Sequence, residues 1–303
     1  MTATVAEPAS RPTLAGAWLT VVLIWSTTPL AIQWSSVGAG PVFSLASRFV
    51  IGAIIFGVVL LFTGVGGLRS RDALLASLIL GLNMFASMML VYWGAQFVPS
   101  GLIAVLFGLT PIMTALWSLL ILENERMTLL GVIGVLLGVA GLYLIFGSGD
   151  AVADRAWLGF AAVLGAMTLQ SGTVVTLKRL SMQVGSLAMT SGGVIVAAVF
   201  CVLAWLVAGM PIPAEPTTRA IWSILYLGAM GSVMGFLLYF WMLRRVSAIQ
   251  LSLITLVTPI TGLLVGQWFN AERLPPTVWS GVALVIFGLG IYQFSDWQRR
   301  RLD

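Results

Sequence analysis

Chemistry in this chain has to come from very few side chains. Arg48 sits about two turns inside a long apolar run, and its planar fork of N–H donors suits a carboxylate. It reads either as an anchor for the acid group of a small molecule or as a long side chain that snorkels to the nearer water boundary. The other binding candidates are amides, hydroxyls, rings and one thioether inside apolar runs: Trp25, Thr27, Ser87, Tyr92, Phe107, Met167, Gln170, Phe236 and Tyr239. Together they would make an apolar cavity with a few polar contacts, suited to aromatic or aliphatic zwitterions. The competing reading for each ring is a lipid-facing or interface-belt position.

What is missing narrows the chemistry further. The sequence has no histidine, and each of its 10 acidic residues falls at the end of an apolar run, in a connection or in a tail. A metal centre, a general base and a membrane-embedded carboxylate for proton exchange all lack their side chains. No cofactor and no enzyme activity are expected, since the plentiful serines have no positioned base. Transport without a carboxylate relay, by a facilitator or through unconventional groups, is favoured over proton antiport. Cys201 is the one cysteine, so a disulfide within the chain is impossible, and it reads as a small buried apolar residue.

These side chains need a scaffold, and composition names its solvent. The chain is 59% hydrophobic and 8% charged with a mean hydropathy of +1.05, whereas soluble domains carry about 25% charged residues. An all-α membrane protein follows. Runs long enough to cross about 30 Å of hydrocarbon can be drawn at 14–34, 42–64, 73–96, 100–122, 127–147, 156–177, 185–208, 219–243, 247–269 and 276–295. Residues 1–13 read as a disordered tail and 296–303 as a basic one. The net charge of +5 reflects loops facing anionic lipid rather than nucleic acid. With the amino terminus inside, 11 of 15 basic residues fall on the cytoplasmic side, which places both termini there.

One pattern occurs twice. From Tyr92 and again from Tyr239 the chain runs apolar helix, Thr-Pro, apolar helix, Glu-Arg and a glycine-spaced apolar helix. Ser100 matches Ser247, Glu125 matches Glu272, and Gly134 and Gly141 match Gly281 and Gly288 at a constant offset of 147, while Pro111 and Pro259 are offset by 148. A unit of five spans is odd, so its copy must be inverted in the membrane. The halves are 14–147 and 156–295. Pro111 and Pro259, mid-span, are expected to bend their helices or act as hinges. Glu125 and Glu272, at span ends, suit anchoring or gating better than substrate contact. The glycine stripes are packing surfaces, either between the two halves or between protomers of a homodimer.

With WSTTPLAIQ in the first span, SLASRFVIGA opening the second and the Pro…Glu-Arg segment used twice, the chain resembles the EamA family of the drug/metabolite transporter superfamily. The resemblance covers about 14–295 and implies a basket of ten helices around a central cavity. Spans 1, 3, 4, 6, 8 and 9 would line it, with 5 and 10 peripheral. Overall likeness to aromatic amino-acid exporters within that family implies export of Phe, Tyr and Trp by alternating access from a bacterial inner membrane. A broad exporter of drugs or lipophilic cations, and a non-transporting membrane sensor or scaffold, are the alternatives.

Overall fold

The computed structural model describes residues 11–63, 70–122, 127–147, 155–180, 184–243, 245–246 and 248–302, and the described residues are helical apart from short connections. In chain order the helices are α1 (Arg11–Ser36), α2 (Pro41–Thr63), α3 (Arg71–Gly94), α4 (Ser100–Gly108), α5 (Thr110–Ile121), α6 (Leu129–Gly147), α7 (Ala156–Arg179), α8 (Ser186–Val207), α9 (Thr218–Tyr226), a π-helical segment (Leu227–Met234), α10 (Gly235–Leu243), α11 (Ala248–Asn270) and α12 (Pro276–Leu302). Paired as α4–α5 and α9–α10, they form the ten expected spans. Nine are long and apolar enough to cross a membrane, and α6 adds the shorter apolar stretch Leu129–Ile145. Because a helix pairs its backbone groups within itself, such an architecture is one of the two that hydrocarbon permits. Below, the proximal face is the one where α1 begins and the distal face the one where it ends.

Helix α1 begins at Arg11 and α12 runs on through Leu302, so residues 11–13 and 296–302 are helical; Asp296 pairs with Arg299 one turn later at 3.1 Å. Local signals explain other boundaries. Ser70 and Thr217 accept the backbone N–H of Ala73 and Ala220 as N-caps of α3 and α9. Gly38 and Gly40, with φ of +82° and +77°, let the chain reverse between α1 and α2 within a few residues.

The two prolines differ. Pro111 has no N–H to give Phe107, and span 4 breaks there into α4 and α5. The Thr110 hydroxyl takes over, donating to the Phe107 carbonyl at 2.6 Å. Pro259 lies inside α11, which stays helical through it. The expected bend is therefore a break in the first half and an uninterrupted helix in the second.

The glycine stripes meet each other. A Cβ at Gly134 would lie 2.6 Å from the Gly288 carbonyl, and one at Gly141 would lie 2.5 Å from that of Gly281. Helices α6 and α12 thus touch backbone to backbone, and the stripes are used within the chain, between its halves. The main core runs through Phe56, Tyr92, Leu102, Leu106, Phe160 and Met167. A second cluster of Val21, Val22, Met242, Leu251 and Ile254 joins α1, α10 and α11 toward the proximal face.

Candidate functional site

Near the distal face the three helices α1, α9 and α11 border a cavity of about 380 Å³ that opens to the protein's outside past Trp222 and Phe269, which are 67% and 66% exposed. Trp34, Trp222, Tyr226 and Phe269 wall it with rings, Leu30, Ala31 and Val265 add aliphatic surface, and Arg219 is its one charged lining residue. The Arg219 guanidinium lies 4.9 Å from the centre of the Trp34 ring, a distance that favours the cation over the ring face. Thr27 lines the wall and bonds Tyr226, hydroxyl to hydroxyl, at 2.6 Å. Thr27 also donates to the Leu23 carbonyl one turn back, so the pair is fixed to the backbone of α1. A volume in the range of small-molecule sites, ring walls and few polar groups make this an amphipathic binding surface.

Arg48 lies behind that wall. It is 4% exposed, and its Nε donates to Ser232 Oγ at 2.9 Å, near the middle of the 218–243 helical run. The guanidinium does not snorkel outward; it is held among helices. The π-helical segment makes the contact possible. Gly228 and Gly231 have no side chains to obstruct Ile51 and Arg48, and the wider turn presents Ser232 to α2. Tyr92 and Tyr226 both lie within the reach of the Arg48 charge. Tyr92 is fully buried, and its hydroxyl lies beside Arg48 and Ser35 without reaching hydrogen-bond geometry with either.

The remaining candidates are spread through the helices. Trp25 stacks on Tyr239 with ring centres 5.1 Å apart, over Gly235, which leaves room for the indole. Ser87 is buried with its hydroxyl unpartnered, one helical turn from Asn83, whose Oδ1 is also unpartnered. Phe107 and Phe236 are half-buried against the main core, and Met167 is wholly inside it, so these pack helices together. Gln170 is half-buried on α7. Of the expected binding residues, Thr27 alone lines this cavity. Trp34, Trp222, Tyr226 and Phe269 do so without having been singled out: Trp34, Trp222 and Phe269 read as belt aromatics at run ends, and Arg219 reads as a charge at the start of its run.

A polar network lies at the distal face. Glu272 Oε1 accepts from the Ser100 amide and hydroxyl at 2.8 and 2.6 Å, and Oε2 accepts from the Gly101 amide at 3.0 Å. The carboxylate from the second half thus caps the first turn of α4 in the first half. Asn270 extends the network by donating to Glu272 and Gln33 while accepting from the Trp34 indole. Gln33 in turn donates to the carbonyls of Ala95 and Val98. Glu125, the counterpart of Glu272, lies outside the described residues.

Ten apolar spans and a repeat agree with the sequence comparison, in which the EamA-like transporter family model matches residues 14–147 and 157–292. The chain belongs to the EamA-like transporter family. The two matches correspond to the two halves of the EamA pattern. Relatives span nearly the whole chain: an uncharacterized inner membrane transporter, YedA, of Escherichia coli K12 is 26% identical over 93% of this chain and 92% of its own length. A probable terminal-alkyne amino-acid exporter of Streptantibioticus cattleyicolor is 25% identical, covering 92% and 93%. An S-adenosylmethionine/S-adenosylhomocysteine transporter of Chlamydia muridarum is 25% identical, covering 91% and 90%. The chain is therefore a multi-pass membrane transporter of the EamA type.

Proposed function

We propose that this transporter exports small hydrophobic metabolites, aromatic amino acids foremost, across a bacterial inner membrane with both termini in the cytoplasm. One observation carries the reading: the ring-walled cavity of about 380 Å³ with the Thr27–Tyr226 hydroxyl pair in its wall. Rings stack on its Trp and Phe walls, and hydroxyls orient a polar head. One relative named for an amino-acid exporter points the same way, although another is named for S-adenosylmethionine, and at about 25% identity neither name transfers. Cargo would reach the cavity by rearrangement of the two halves, with the break at Pro111 as the hinge and the Glu272 network as the distal latch. The buried Arg48 cation disfavours lipophilic cations as cargo.

The test is uptake into liposomes holding the purified protein, with labelled Phe, Trp and a lipophilic cation, with and without a pH gradient. Gradient-independent equilibration of Phe and Trp is expected, because the sequence has no histidine and no mid-span carboxylate to carry protons. Uphill accumulation driven by the gradient would refute the facilitator reading. Movement of the cation alone would refute the cargo reading.

A further inference from the structure

We infer that Arg48, Tyr92 and Ser232 form an internal site for a singly charged anion, which the carboxylate of the cargo fills during transport. The inference rests on the transport reading for the identity of the cargo, and on the geometry alone for the site. An arginine inside a membrane protein is normally paired, because an isolated buried charge is costly. Among the described residues the ion pair is Arg299–Asp296, and Arg48 has no acidic partner. Ser232 fixes one edge of the guanidinium through Nε. Nη1 is buried without a hydrogen-bond partner, as is the hydroxyl of Tyr92, which lies near Arg48. Both groups can donate. The hydroxyls around them are neutral, so what the cluster lacks is a negatively charged acceptor, which would take both donors and balance the guanidinium.

One free guanidinium nitrogen and one hydroxyl match a carboxylate or a chloride, not a doubly charged phosphate. The cluster is also adjacent to the cavity. Arg48 Nη2 and Thr28 Oγ1 lie 3.4 and 3.8 Å from where a Cβ at Gly231 would stand, so Arg48 is close to the stretch of α1 whose Thr27 lines the cavity, and a molecule with its ring against Trp222 and Phe269 would bring its acid group to Arg48 past the Thr27–Tyr226 pair. The site thus selects acids and zwitterions over amines that share the same ring.

Isothermal titration of the purified protein with phenylalanine, 3-phenylpropanoate, phenethylamine and sodium chloride, in a sulfate background, tests this. Binding of the two carboxylates but not of the amine is expected, with at least a tenfold loss in Arg48→Gln and partial recovery in Arg48→Lys. Chloride that binds in an Arg48-dependent way and competes with the carboxylates identifies the same site with a second source of anion. Tyr92→Phe and Ser232→Ala remove one group each and should weaken binding several-fold, so the test survives if Arg48→Gln does not fold. Equal binding of phenethylamine, or unchanged carboxylate affinity in a folded Arg48→Gln or in both milder variants, overturns the site. If labelled Phe is not moved in liposomes yet Arg48-dependent anion binding persists, the cargo reading fails and the site stands. If Arg48→Gln moves Phe with unchanged KM, the site fails and the cargo reading stands.

Discussion

Gly108 rests on the ring of Pro259: a Cβ at position 108 would come within 2.5 Å of Pro259 Cγ. The contact joins the point where span 4 breaks to the proline of the equivalent helix in the other half. One and two turns from it toward the distal face, Gly262 faces Ala104 and Gly101 faces Leu263, so α4 and α11 cross with their backbones nearly touching. Gly108→Ala forces the ring and the new methyl apart and should cost about 1–3 kcal/mol, as overpacking does. Pro259→Ala in the same chain removes the obstructing ring, so the double variant should be more stable than the sum of the single ones, by a coupling of roughly 0.5–3 kcal/mol. Denaturant unfolding in mixed micelles measures both; strict additivity would mean that the contact carries no energy.

The Glu272 cap makes a second prediction, about gating. Glu272→Ala leaves the Ser100 and Gly101 amides without their acceptor, and lost caps cost about 0.5–2 kcal/mol. If the network holds the distal face shut, its loss should also open the cavity. The native Cys201 is buried, so Thr27→Cys provides a reporter with little background. In the Glu272→Ala chain its labelling by a membrane-impermeant maleimide should rise several-fold. A fall in stability with unchanged labelling would make Glu272 an anchor only.

Much of the scaffold was legible because hydrocarbon makes the same demand of every span. A run of about 20 apolar residues is an unambiguous signal, and the 147-residue offset pairing Glu125 with Glu272 exposed the duplication. Arg48 and Thr27 were legible as polar groups in apolar runs. Their partners were not. Nothing in the spacing announces that Gly228 and Gly231 are glycines so that Arg48 can reach Ser232, because that contact depends on a π-helical turn and on the packing of α2 against it. Trp34 and Trp222 were hidden for another reason: aromatics at span ends have the same sequence signature whether they face lipid or a cavity. Conversely, Met167 looked like a cavity residue because a mid-span thioether suits either place, and packing put it in the core.

The Thr27–Tyr226 pair should separate binding from folding. Tyr226→Phe keeps the ring in the cavity wall and removes the hydroxyl that meets Thr27 at 2.6 Å. Losing one partly buried hydrogen bond should cost about 0.5–1.5 kcal/mol of stability. If cargo uses the pair, KM for labelled Phe should rise several-fold in Tyr226→Phe and in Thr27→Val, with the maximal rate little changed, because uniform binding has been lost. Tyr226→Ala, which also removes the ring, should be far worse. Equal KM in all three variants and the parent would remove this cavity from the transport path.

The pairing of α6 with α12 yields the last prediction, and it concerns the halves as units. Gly134 and Gly141 approach the carbonyls of Gly288 and Gly281 so closely that each position has no room for a single methyl. Attraction between helices in lipid comes from such close packing and not from apolar burial, since the tails are as apolar as leucine. Gly134→Ala and Gly288→Ala should therefore each destabilise the chain by about 1–3 kcal/mol, although both substitutions raise hydrophobicity and helix propensity. A scale based on hydropathy forecasts the reverse sign. Because the pair is remote from the Thr27–Tyr226 wall, the folded fraction of each variant should bind cargo as the parent does. Thermal unfolding followed by titration of the folded fraction distinguishes the outcomes: unchanged stability would show that α6 and α12 do not need each other, and lost affinity would show that their seam reaches the site.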